Sequence, residues 1–198
     1  MSGNRRDCLV LLLFLVGAAL LAGLAPLERV LGSSARIVYL HGAWVWAALL
    51  AFSAAALAGL AGFLLRKESL HRWSVGLGRS GTVFWLTSLL LSLAAMQTSW
   101  NGLYLAEPRW RLGVRFGLVA VLLQLAVTVF RRPRLGSALN IVFVGILVAA
   151  LLGAESVLHP PSPVFTSDSV AIRVSFLVLL GAALAASWLL ARILRPNA

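Results

Sequence analysis

The chain has 198 residues, 61% of them hydrophobic and 12% charged, with a formal net charge of +11. A soluble domain carries about 25% charged and about 45–50% apolar residues, so this composition excludes an ordinary soluble fold. It also argues against a nucleic-acid binder, because the basic residues form short clusters between apolar runs and not one contiguous stripe.

Crossing a hydrocarbon core takes roughly 20 helical residues, and six apolar runs meet that length. They predict an all-α membrane protein: a bundle of six transmembrane helices in a single domain, 1–198. The first helix is expected at 8–29. Arg5 and Arg6 precede its apolar stretch from Cys8 to Ala25, a pattern that imitates a secretory signal and is read here as a retained first span. Cys8 is the single cysteine. It excludes an internal disulfide, a Cys-x-x-Cys pair and a Cys-x-x-Cys-His heme attachment, so the chain is neither a c-type cytochrome nor a thiol oxidoreductase.

The second helix is expected at 37–65, longer than a span needs, so it should tilt or lift its first turn into the interface. Its run Ala58-Gly59-Leu60-Ala61-Gly62 permits close helix approach in lipid. The remaining helices are expected at 80–98, 112–130, 137–155 and 169–191. There is no internal repeat and no low-complexity linker.

Charge sets the expected topology. Arg5 and Arg6, then Arg66, Lys67, Arg72 and Arg79, then Arg131, Arg132 and Arg134, and finally Arg192 and Arg195 fall on one side if the helices alternate. The positive-inside rule makes that side, with both termini, cytoplasmic. His71 lies among these basic residues.

The outward side carries the candidate chemistry. Its first loop ends in Arg36-Ile-Val-Tyr39-Leu-His41-Gly-Ala-Trp44. The second holds Trp100-Asn-Gly-Leu-Tyr104-Leu-Ala-Glu107-Pro-Arg109-Trp110-Arg111. The third runs Glu155-Ser-Val-Leu-His159-Pro-Pro-Ser-Pro-Val-Phe-Thr-Ser-Asp168. His41 and His159 thus share one face, and heme iron takes two axial imidazole nitrogens. Aromatic side chains can bed a porphyrin, and Arg36, Arg109 or Arg111 can hold propionates. Arg115 and Arg173 are expected about one turn inside the outer surface, where an ionisable group tends to have a partner or a task. A structural reading competes at each point. Trp44, Trp100, Tyr104 and Trp110 suit an interfacial aromatic belt, Glu107-Pro108 suits a helix start, and Arg115 and Arg173 suit ion pairs with Glu107 and Asp168.

These segments together resemble the heme-handling membrane proteins of cytochrome c assembly, the CcmC type. Arg36 to His41, followed by Ala43-Trp44, is similar to the family's Tyr-x-His element at the start of the second helix. Trp100 through Arg109 resembles its tryptophan-rich WWD segment, with Glu107-Pro108-Arg109 at the Asp-Pro-Arg position. His159 stands where the second family histidine does. Most of the WWD tryptophans are missing, Glu107 replaces the aspartate, and the spacing in His41-Gly-Ala-Trp44 is short.

The resemblance implies six helices and a heme b bound outside, with His41 and His159 as axial metal ligands. Trp100, Tyr104 and Trp110 would form the bed, and Arg109 and Arg111 would pair with propionates. It further implies an inner-membrane protein that presents heme to a periplasmic heme chaperone beside an ABC transporter, with no catalysis of its own. No Walker sequence is present, so ATP use would need another chain. The alternatives are a non-catalytic accessory or scaffold subunit of a larger membrane complex and, less favoured, a small-solute permease. Gln97, Gln124 and Asn140 are the only polar residues that hint at a midplane site.

Overall fold

The computed structural model describes residues 2–154 and 163–197. Among them the protein is all-helical. Its six α-helices are α1 (Ser2–Leu24), α2 (Ala35–Leu65), α3 (Glu68–Trp100), α4 (Pro108–Phe130), α5 (Pro133–Leu152) and α6 (Val170–Leu194), with a short 3-10 turn at Pro163–Thr166. All six are long and apolar enough to cross a membrane.

Local chemistry sets most of the ends. α1 stops at Leu24, just ahead of Pro26, which disfavours helical geometry at the residue before it. The connecting turn is held by Glu28, whose Oε2 accepts from the amides of Val30 and Leu31 at 2.7 Å each. These two bonds favour the carboxylate and lower the pKa of Glu28. α4 and α5 each begin with proline in the first turn, where the missing N–H would have no partner in any case. α2 and α4 end on left-handed residues, Arg66 (φ 52°) and Arg131 (φ 50°), whose amides bond back to Gly62 and Val127.

The largest departure from the sequence-based expectation is α3. It starts at residue 68, not 80, and runs for 33 residues, which is about 50 Å of helix. Arg72 and Arg79 are therefore helical residues and not loop residues. Arg79 donates from Nη1 to the carbonyl of Leu194 at 2.9 Å and from Nη2 to Thr128 Oγ1 at 3.2 Å. It thereby joins α3 to the ends of α6 and α4, a favourable place for a cation because the last carbonyls of a helix are unpaired.

The α2–α3 hairpin is the centre of the bundle. α5 and α6 pack on both of its helices, α4 packs against α3 and α5, and α1 lies outside against α6 and α2. At one end the Asp7–Arg192 and Glu68–Arg134 pairs, each 3.0 Å, tie α1 to α6 and α3 to α5. The start of α1 and the end of α6, and the basic clusters beside them, thus gather at the same end of the bundle.

Close packing near that end uses small and polar residues. His71, Ser74, Ser80, Ser137, Asn140 and Ser187 are all buried. His71 Nδ1 lies 2.8 Å from Ser137 Oγ. Asn140 Nδ2 donates to the Ser74 carbonyl at 2.9 Å and lies 3.1 Å from Ser74 Oγ. Ser80 Oγ donates to the Ser187 carbonyl at 2.7 Å. Glycines let the backbones meet there: a Cβ on Gly76 would stand 2.5 Å from the Ala191 carbonyl oxygen. In lipid this exchange of apolar bulk for small residues and interhelical hydrogen bonds is a normal source of helix association.

Candidate functional site

The candidate residues lie toward the opposite end of the bundle. That end is held together by main-chain acceptors. Ser34 Oγ donates to the Thr98 carbonyl at 3.1 Å, joining the start of α2 to the end of α3. Arg36 Nε donates to the Ala25 carbonyl at 3.1 Å, just past the end of α1.

His41 sits two turns into α2, half-buried against α3, with Nδ1 3.0 Å from the Ser88 carbonyl oxygen. A carbonyl oxygen only accepts, so Nδ1 is the donor in this contact. This is the arrangement in which an imidazole serves a metal, its second nitrogen orienting the ring. One turn along, the Trp44 ring lies 5.3 Å from that of Phe84. Trp46 meets Phe165 edge-on at 5.9 Å, and Phe165 meets Phe176 in the same way at 5.3 Å.

Trp100 and Tyr104 come together at the tip of α3, edge to face, with centroids 5.5 Å apart. Asn101 makes the turn between them possible by adopting a left-handed conformation, φ 54°, which asparagine tolerates better than most residues.

Glu107, buried to 2% exposure, caps α4: its Oε2 accepts from the Trp110 amide at 2.6 Å. Glu107-Pro108 is thus a helix start, and Arg109, Trp110 and Arg111 belong to the first turn of α4 and not to a loop. Two buried polar atoms here, Glu107 Oε1 and Arg109 Nε, have no hydrogen-bond partner among the described residues. Arg111 is exposed, as are Arg115 and Arg173. Among the described residues the ion pairs are Arg134–Glu68 and Arg192–Asp7, so Arg115 and Arg173 do not pair with Glu107 and Asp168.

Helix geometry sets the levels of these groups along the bundle. Trp85 Nε1 donates to the Gly113 carbonyl at 2.8 Å, fixing the register of α3 against α4. Counting one turn outward on each helix brings Trp110 to about the level of Ser88, and hence of His41. Trp100 is twelve residues beyond Ser88 on α3, about 18 Å further out at 1.5 Å per residue.

His159 and Glu155 lie outside the described residues. His71 belongs to the other end of the bundle, buried between α3 and α5. Among the described residues, no group of three or more histidine, cysteine, aspartate or glutamate side chains is arranged to hold a metal ion. The candidate group that sequence reasoning passed over is Ser88, which orients His41; Tyr39 is buried, and its hydroxyl has no hydrogen-bond partner among the described residues. Ser88 carries no sequence signal, because its main-chain carbonyl does the work. Tyr39 was legible only as part of the Tyr-x-His element. No protein-family model matches the chain, and no curated protein matches it.

Proposed function

We propose that the protein handles heme at the end of the bundle remote from its termini, binding a b-type heme and presenting it to a partner in cytochrome c assembly. In this reading it is a multi-pass protein of the inner membrane with both termini cytoplasmic, the side to which the basic clusters assign them. The observation that carries the reading is His41. A half-buried imidazole whose Nδ1 donates to the Ser88 carbonyl has its ring oriented from a second helix, as the outer-shell bond of a metal-bound imidazole orients it.

The residues the reading assigns to the group divide by level along the bundle, with Trp110 near His41 and Trp100 and Tyr104 toward the tip of α3. His41 and His159 would supply axial nitrogens, Trp100, Tyr104 and Trp110 would offer apolar ring surface, and Arg109 and Arg111 would meet propionates. Bound heme would supply the cargo and the iron; the chain itself would hold, orient and release, so no catalytic step falls to it. A periplasmic heme chaperone and an ABC transporter are the partners this role calls for.

The test is an absorption spectrum of the purified protein titrated with heme. A Soret band that shifts in both His41→Ala and His159→Ala supports the reading. A wild-type protein without such a band overturns it.

An accessory-subunit reading has one observation in its favour. Gly17, Gly145 and Gly181 each face open space where a Cβ would stand, as surfaces that receive a neighbouring transmembrane helix do. Co-purification of membrane chains, lost when Gly17 or Gly145 is replaced by leucine, would support that role.

A further inference from the structure

α1 and α3 both pack on α2 and leave a channel between them, with α2 as its floor. Two cavities occupy this channel, of about 360 Å³ and about 350 Å³, and they share Leu40. The outer cavity is polar at its mouth, where Arg36, Ser33, Ser34 and Thr98 line it. The deeper one is apolar, with Leu15 of α1, Leu40 and Trp44 of α2 and Leu91 of α3 on its walls. From Ser34 to Trp44 is ten residues of helix, about 15 Å, half the roughly 30 Å thickness of a bilayer core.

We propose that this groove binds one anionic phospholipid, with an acyl chain along Leu40 and Trp44 and the phosphate at Arg36. Length selects a lipid over a partner helix: a spanning helix needs a groove for the whole core, and this one serves a single leaflet. Charge selects an anionic headgroup. Arg36 forms no ion pair among the described residues, and the nearby Glu28 turns its carboxylate onto its own loop amides. A guanidinium has five N–H donors, so the bond from Nε to Ala25 leaves a fork for phosphate oxygens. The hydroxyl of Ser33 adds a donor at the same mouth, while that of Ser34 is spent on the Thr98 carbonyl. This inference needs no heme and does not rest on the heme reading.

Native mass spectrometry of the full chain, purified without heme, tests it against phosphatidylglycerol and phosphatidylcholine of identical acyl chains. The wild type should retain one phosphatidylglycerol in preference to phosphatidylcholine, on the order of tenfold, the scale of a charge-assisted hydrogen bond. Leu40→Trp and Ala19→Trp, which fill the groove from α2 and α1, should abolish retention. Arg36→Gln should remove the headgroup preference and Arg36→Lys should keep most of it. Should Arg36→Gln fail to fold, because Arg36 also holds the end of α1, the two tryptophan variants decide the question, with helicity checked by circular dichroism. Equal retention of both lipids by the wild type overturns the proposal. So does phosphatidylglycerol retention unchanged in both folded tryptophan variants, or a second copy of the chain in place of lipid.

Discussion

His71 Nδ1 lies 2.8 Å from Ser137 Oγ, with the His71 ring edge-on to Phe63 at 4.6 Å and the α-carbon of Gly62 close behind it. This histidine joins α3 to α5 and seals the end of α2, so its role is packing. A His71→Ala variant leaves a cavity and strands the Ser137 hydroxyl. The expected loss is about 2–4 kcal/mol, read as a lower thermal midpoint in detergent, while any heme spectrum keeps its band positions. An unchanged midpoint would show that the His71–Ser137 contact contributes nothing.

Glycine substitutions should divide sharply by place. A Cβ on Gly76 would stand 2.5 Å from the Ala191 carbonyl oxygen, and backbone cannot move aside as a side-chain tip does. Gly76→Ala should therefore push α3 from α6 and cost about 1–3 kcal/mol. Gly145→Ala meets nothing within 4 Å, and should stabilise α5 by about 0.5–1 kcal/mol through helix propensity. Thermal unfolding of the two variants, compared with the wild type, checks both signs.

All six helices were legible as apolar runs, because lipid demands about 20 such residues of any span. The first three turns of α3 were not. Their buried face is His71, Ser74, Val75 and Gly78, a helical spacing written mainly in polar and small residues, which a hydropathy reading scores as loop. The starts of α4 and α5 were missed for a related reason: Pro108-Arg109 and Pro133-Arg134 look like breaks in a chain where proline opens the helix. At the candidate site, residue types and their side of the bundle were legible. The contact that orients His41 was not, since a main-chain carbonyl on another helix has no signature in sequence.

Topology has a direct check. Reporter fusions at Ala198 and at Lys67, in the short connection between α2 and α3, should both report the cytoplasmic side, and a fusion at Leu103, beyond the tip of α3, should report the opposite side. An outward signal at Ala198 would reverse the assignment and move His41 to the cytoplasmic half.

The turn after α1 should respond to acid. Glu28 has a lowered pKa because its carboxylate accepts two loop amides. A depressed folded-state pKa means that the stabilisation is fully present above the unfolded value, about 4.3 for glutamate, and is lost as pH falls through the lower folded value. The amide resonances of Val30 and Leu31 should shift in that acidic window in the wild type. In Glu28→Gln the window should be absent; a shift that persists there would assign it to another group.

The heme reading makes its sharpest demand on two tryptophans. Trp110 stands within about a turn of the level of His41 and Ser88, whereas Trp100 lies about 18 Å further out. A porphyrin on His41 would therefore sense Trp110 first. Trp110→Leu should shift the Soret band and weaken heme retention, and Trp100→Leu should leave the band in place while weakening transfer to an acceptor. Arg109→Gln should lower retention without moving the band, since a propionate contact does not touch the iron. Spin labels at positions 41 and 159 in a Cys8→Ser background give an independent measure. Two axial ligands, each about 2 Å from one iron, require those positions to approach within roughly 20 Å once label length is included. If Trp100→Leu moves the band and Trp110→Leu does not, the heme sits at the tip of α3 and His41 is not its ligand.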